Sequence, residues 1–226
     1  MRRGTIAISE LTSDLAAAWI ERNSPAGTAV AAGPIDNTEP FDDTEAAAMT
    51  RAVKKRRNEF HTGRRLSRVA LAKLGCAATA IPADEHRVPV WPPGFVGTIS
   101  HSRNLCIAHV GLTHDLVGVG VDVELRKSLP ADVASRICRA DESPGRSGEA
   151  ALLHFVAKEA FYKAYFPSAR TFLEYHDVRI EPDETRGTFR ASLMANNKPA
   201  LAGRRSFKGR IAPLDDHIAA ALWITR

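Results

Sequence analysis

The sequence predicts an α+β protein made of two comparable halves that join near residue 115. Three observations carry that expectation. Helical periodicity followed by paired strand-like runs occurs twice along the 226 residues. Residues 117–125, V-G-V-G-V-D-V-E-L, alternate strictly, which marks a strand. One helix further on, Ala150 to Phe166 carries large apolar side chains at i, i+3, i+4 spacing.

Residues 5–22 read as a short strand and a helix, followed by a Gly/Pro/Ala-rich connector from Ser24 to Pro40. Asp42 and Glu45 stand at capping-box spacing and open a helix to about Arg57. A second helix, from about Phe60 to Leu74, ends at Gly75 as a left-handed cap. Pro82, Pro89, Pro92 and Pro93 make the next stretch a loop. Strands follow at Gly97–Ser100, Cys106–Gly111 and Val117–Leu125. Pro130 to Gly148 is polar, with one or two helical turns, and its S-P-G-R-S-G end reads as a mobile loop. Pro167 stops the helix that began at Ala150. His176–Glu181 and Gly187–Leu193 form a hairpin around D-E-T-R-G, and Phe207–Ile211 pairs with His217–Thr225. The two halves are then 1–115 and 116–226.

Composition is that of an ordinary globular protein, with 44% hydrophobic and 25% charged residues. No apolar run reaches the roughly 20 residues a membrane span needs. Glu10, Asp14 and Glu21 interrupt a start that otherwise imitates a signal peptide. Cys76, Cys106 and Cys138 are widely spaced, without a C-x-x-C pair. That pattern points to reduced thiols, used in packing, in a cytoplasmic protein. The net charge of +5 is unevenly placed. Arg51, Lys54, Lys55, Arg56, Arg57, Arg64, Arg65, Arg68 and Lys73 face a single acid, Glu59, in that stretch. Salt-bridge lacing needs both signs, so the run calls for an anionic partner: nucleic acid, a phosphorylated small molecule or an acidic protein.

The alternating strand puts Val117, Val119, Val121 and Val123 on one face and Gly118, Gly120, Asp122 and Glu124 on the other. Both carboxylates then stand about 7 Å apart along the backbone. The glycines clear that face for something bulky. Glu159 interrupts the apolar stripe of Leu152, Phe155, Val156, Tyr162 and Phe166. An unpaired buried carboxylate costs several kcal/mol unless a cation meets it. Alone, Glu159 and Lys163 read as an ordinary helix pair worth about 0.3–0.5 kcal/mol. Taken with the strand, they point to a three-carboxylate site for magnesium or manganese, hence to a phosphate ester or anhydride. The run W-P-P-G-F-V-G-T-I-S-H-S leads through a proline-glycine turn to Ser100, His101 and Ser102, which can donate to a phosphate. A glycine-rich phosphate loop of the G-x-x-x-x-G-K-[ST] type is absent.

Four pieces occur in order: R-R-N-E-F-H-T-G-R with the following R-V-A-L-A-K-L-G, then W-P-P-G-F-V-G-T-I-S-H-S, V-G-V-D-V-E and F-V-A-K-E-A-F-Y-K-A-Y-F-P. Through them the chain resembles, from about Arg51 to Pro167, the pseudo-dimeric 4′-phosphopantetheinyl transferases, which activate carrier proteins of siderophore, polyketide and peptide synthases. The resemblance implies two similar α+β halves with coenzyme A in the cleft between them. It implies magnesium-dependent (manganese possible) transfer of the phosphopantetheine arm to a carrier-protein serine, releasing adenosine 3′,5′-bisphosphate. Under it, Asp122, Glu124 and Glu159 hold the metal, and Glu159 deprotonates the serine. Lys163 and Lys158 neutralise the pyrophosphate, while Arg56, Arg64 and His101, with Ser100 beside them, grip the nucleotide end. Residues 1–115 would carry that grip and 116–226 the metal site and catalytic helix. The implied partner presents an acidic, partly apolar helix, nucleic acid has no role, and a monomer suffices. Two positions depart from the pattern: T-I-S-H replaces the commoner S-I-S-H, and Ala83 stands where close relatives have a lysine, with Arg87 as its substitute.

Overall fold

The structure, a computed structural model, describes residues 8–142 and 148–226. The strand expected from residue 5 and most of the loop expected at S-P-G-R-S-G lie outside the described residues. Strands β1 (Thr28–Pro34), β2 (Phe95–Ser102) and β3 (Leu105–Leu112) form an antiparallel sheet in the order β1-β3-β2. Strands β4 (Leu116–Leu125), β5 (Val178–Asp183), β6 (Thr188–Leu193), β7 (Ser206–Leu214) and β8 (His217–Thr225) form a second antiparallel sheet, β4-β8-β7-β6-β5. This mixed architecture is the expected α+β class.

Helices cover these sheets with small and branched side chains. Helix α1 (Ile8–Asn23) packs Ala16, Trp19 and Ile20 against Val30, Ile107, Val121 and Val123, so one cluster spans both sheets. Helix α3 (Lys54–Lys73) lays Leu66, Ala70 and Leu71 on Ala29, Ala31, Cys106 and Ala108. Helix α5 (Gly148–Ala169) packs Val156, Ala157, Ala160, Phe161 and Ala164 on Ile180, Phe189, Leu222 and Ile224. Two short helices, α2 (Asp43–Ala48) and α4 (Ala131–Ile137), complete the helical set among the described residues.

Several elements differ from expectation, each for a local reason. The connector at Ser24–Pro40 contains β1, whose T-A-V-A-A-G-P lacks alternation because Val30 and both flanking alanines are all buried. The first expected helix stops at Ala48, and α3 starts at Lys54 and runs through the expected gap. Asp42 does cap α2, accepting from the Glu45 amide at 3.0 Å. Glu45 does not close the box on Asp42. Instead it is fully buried, and its carboxylate accepts from Phe41 N (3.2 Å), Ile81 N (3.2 Å) and Arg68 Nη1 (2.5 Å). That anchorage turns the chain between the two helices. Gly75, at φ +80°, follows the end of α3 as the left-handed residue expected there. Helix α5 passes through Pro167 to Ala169, and it is buried around most of its girth rather than along one stripe.

The two glycines of β4 clear their face as expected, and the bulky group that lies against it is helix α5. A Cβ at Gly118 would lie 2.1 Å from Ala164 O, and one at Gly120 would lie 1.8 Å from Ala160 O. Two successive turns of α5 therefore rest on bare strand backbone. A bulge between Leu116 and Gly118 also turns Val117 toward the α5 side, away from Val121 and Val123. All three cysteines are free, and burial pushes the thiols of Cys106 and Cys138 up to about 12 and about 11. No helix among the described residues is long and apolar enough to cross a membrane.

Gly120→Ala should cost more than about 3 kcal/mol, because only displacement of α5 admits the methyl group. Urea denaturation checks it; a loss below about 1 kcal/mol would show that the helix yields freely.

Candidate active site

The two sheets meet where β2 runs beside β4, and side-chain hydroxyls make the seam. Thr98, Ser100 and Ser102 occupy alternate positions of β2 and so share one face. Their oxygens accept from the amides of Val121 (3.5 Å), Val123 (3.3 Å) and Leu125 (3.2 Å), also alternate positions. Two of the same hydroxyls donate onward: Ser100 to Asp122 Oδ1 at 2.8 Å and Ser102 to Glu124 Oε2 at 3.2 Å. The seam that joins the halves thus also orients the two strand carboxylates. Ser100 is buried there, bonded to Asp122, Val123 and Lys163.

Lys163 completes this cluster. Its ammonium donates to Asp122 Oδ1 at 2.7 Å and to Ser100 Oγ at 3.0 Å. It does not form the local helix pair with Glu159. The other Asp122 oxygen, Oδ2, is buried without a hydrogen-bond partner among the described residues. Glu159 accepts from the Tyr175 hydroxyl at 2.9 Å. Burial, followed by repulsion from Asp122, raises the carboxyl pKa of both Glu124 and Glu159.

Each carboxylate is thus engaged by its own donors, and no group of three His, Cys, Asp or Glu side chains is arranged to hold a metal among the described residues. The donor set nonetheless fits a hard divalent ion. It offers oxygens only, an unpartnered buried carboxylate oxygen, and mutual repulsion that added positive charge would relieve.

Lys158 is placed differently from expectation. Its side chain is 2% exposed and its ammonium donates to Ile137 O (2.8 Å), Glu142 Oε2 (2.7 Å) and Tyr175 O (2.9 Å). All three donors are spent on protein, so none remains for a phosphate.

On the other half, Arg56 Nη1 donates to His101 Nε2 at 3.0 Å and to Glu59 Oε2 at 3.3 Å. Burial lowers the His101 pKa, with Glu59 opposing and Arg56 and Lys163 reinforcing, so a neutral ring accepts from Arg56. Arg64 is deeper than expected. It is 5% exposed, donates from Nε to Ile81 O at 2.7 Å and covers the Phe60 ring at 4.2 Å. Burial brings its pKa down to about 10, so it stays charged at neutral pH.

Two cavities share one wall. The first, of about 260 Å³, lies between β2, the His86–Pro89 segment and α5, with Arg87 and Lys163 on its walls. The second, of about 460 Å³, is lined by Tyr162, Phe172, Leu173 and Tyr175, with Arg136 at its edge. Glu159 and Tyr162 line both. Sequence reasoning found Glu159 but not Tyr175, which lies beyond the motifs and carries no spacing signal.

Comparison with known proteins matches residues 44–111 to the 4′-phosphopantetheinyl transferase N-terminal domain and residues 118–221 to the 4′-phosphopantetheinyl transferase superfamily. The 4′-phosphopantetheinyl transferase Svp of Streptomyces mobaraensis is 32% identical over 84% of this chain and 80% of its own length. The 4′-phosphopantetheinyl transferase PptT of Mycobacterium tuberculosis is 39% identical over 65% of this chain and 68% of its own. The 4′-phosphopantetheinyl transferase Npt of Nocardia iowensis is 30% identical over 79% and 86% respectively.

Ser100→Ala strips a donor from Asp122 and the acceptor from a buried amide. It should destabilise the chain by about 1–3 kcal/mol, measured as a shift of the urea midpoint at constant slope.

Proposed function

The chain belongs to the 4′-phosphopantetheinyl transferase superfamily, and from that premise we propose how its residues divide the transfer of phosphopantetheine from coenzyme A to a carrier-protein serine. Coenzyme A lies in the crevice between the halves. Arg56 and His101 take its 3′-phosphate, with Arg64 as a fixed charge behind them. Arg87, on the wall of the smaller cavity, stands in for the lysine missing at Ala83. Asp122, Glu124 and Glu159 hold magnesium, or manganese in its place, which when bound neutralises the pyrophosphate.

Glu159 removes the proton from the carrier serine. The serine oxygen attacks the phosphorus that bears the pantetheine arm. The bond from that phosphorus to the bridging oxygen breaks, and its electron pair leaves with adenosine 3′,5′-bisphosphate. Lys163 offsets the charge that builds on the departing group. The observation that carries this reading is the position of Glu159 on the wall shared by two cavities. It supports entry of the nucleotide from one side, with the arm and the acceptor serine in the aromatic cavity on the other. Phe172, 63% exposed, and Arg136 at that mouth suit an acidic, partly apolar carrier helix.

A likeness to enterobactin synthase component D of Salmonella typhi, 31% identical over 120 residues, supports a place in secondary metabolism. Three free thiols support a cytoplasmic site of action, and the sheet-to-sheet seam supports a monomer.

Mass spectrometry tests the proposal. An apo carrier protein incubated with the enzyme, coenzyme A and magnesium should gain one phosphopantetheine, and a chelator should prevent the gain. Glu159→Gln should slow the transfer by at least about 100-fold with the fold retained. No gain on any of several carriers would overturn the reading. Arg56→Ala should raise the KM for coenzyme A by about tenfold and leave that for dephospho-coenzyme A nearly unchanged. If wild-type enzyme bound the two donors equally, the 3′-phosphate grip would be wrong.

A further inference from the structure

We infer that Tyr175 is the residue that positions Glu159, and that the buried Lys158–Glu142 pair supports the site by holding Tyr175. The inference rests on the transferase reading for the task of Glu159, and it assigns Lys158 a role other than phosphate binding.

A glutamate on a helix has three side-chain torsions to order before it can act as a base or a ligand. Lys163, one turn further along α5, is committed to Asp122 and Ser100. Among the described residues, Tyr175 is the one hydrogen-bond donor on the Glu159 carboxylate, at 2.9 Å. It occupies Oε1 and leaves Oε2 to meet a proton or an ion.

Tyr175 is itself held firmly. It opens a short 3-10 turn, Tyr175–Asp177, closed by a reciprocal cap between Glu174 and Asp177. Its ring lies 6.0 Å from that of Phe155, one turn before Glu159 on α5. Its carbonyl accepts from Lys158 Nζ at 2.9 Å. Lys158 and Glu159 are consecutive on a helix, so their side chains leave the axis about 100° apart. One residue of the turn grips both, through its carbonyl on one side and its phenol on the other. Glu142 fixes Lys158 at 2.7 Å and also accepts from Ile180 N at 2.6 Å and Arg139 N at 2.7 Å. The chain of contacts thus runs from β5, through a buried ion pair, to the carboxylate at the shared cavity wall.

Tyr175→Phe removes the hydroxyl and keeps the ring. It should lower kcat by about tenfold and leave the KM for coenzyme A within about twofold, since the ring that lines the arm's cavity is kept and the nucleotide grip at Arg56 and His101 lies elsewhere. Manganese affinity, read by electron paramagnetic resonance without turnover, should fall by about tenfold, as for other hydrogen bonds that orient a ligating carboxylate. Values of kcat and manganese affinity both within about twofold of wild type would overturn the assignment. So would a KM that rises in step with the loss of kcat, the mark of a collapsed pocket.

Lys158→Met alone leaves Glu142 buried and unpaired and risks unfolding, so the second arm removes both charges in Glu142→Gln/Lys158→Met. Adding Tyr175→Phe to that double variant should bring little further loss of kcat, because both changes break one chain of contacts. Fully additive losses would show that Lys158 does not act through Tyr175. A wild-type chain that modifies no carrier, while Tyr175→Phe still loses manganese affinity, would sink the transferase reading and leave the positioning role standing.

Discussion

The site depends on a row of three hydroxyls. Thr98, Ser100 and Ser102 give the edge of β4 the acceptors that a neighbouring strand's carbonyls would otherwise supply. A sheet edge buried without partners would cost about 1–3 kcal/mol for each amide left unsatisfied. Because side chains rather than backbone close this edge, the two sheets remain separate and a crevice survives between them. The same oxygens donate to Asp122 and Glu124, so the packing of the halves and the aim of the carboxylates are one event.

That economy carries an electrostatic load. Asp122 is buried, and its charge pushes the Glu124 and Glu159 carboxyls above their usual range in addition to the effect of burial. Lys163 relieves one oxygen of one carboxylate. A fold selected for stability alone would replace such a group with apolar side chains of similar volume. Its retention fits a chain that uses the cluster for chemistry rather than for stability.

Much of this was legible in the sequence, for identifiable reasons. The hairpins β5–β6 and β7–β8 followed from alternation around turn residues, and the class followed from their repetition after helices. Glu159 stands out because it interrupts an apolar helical stripe, and Asp122 and Glu124 because they share the glycine face of an alternating strand. The misreadings have a common cause: sequence spacing gives a face but not what covers it. The clearance at Gly118 and Gly120 is real, and only the structure identifies its occupant as the α5 backbone. Lys158 and Lys163 look alike beside Glu159, yet five helical positions set them about 140° apart around the axis, one in the core and the other at the crevice. Strand β1 hid because a strand buried on both faces loses its alternation. Tyr175 could be found only in three dimensions, since nothing in Y-H-D-V links it to a glutamate sixteen residues earlier.

The glycine pair in β4 works as a notch into which α5 is keyed. Contact between hard atoms has no charge to screen and no proton to lose. Helix α5 therefore keeps its register over Asp122 at ionic strengths that would loosen a part-exposed pair such as Arg56–Glu59. High salt would loosen the Arg56–Glu59 contact first, while the spacing of Asp122 and Glu159 stayed in place.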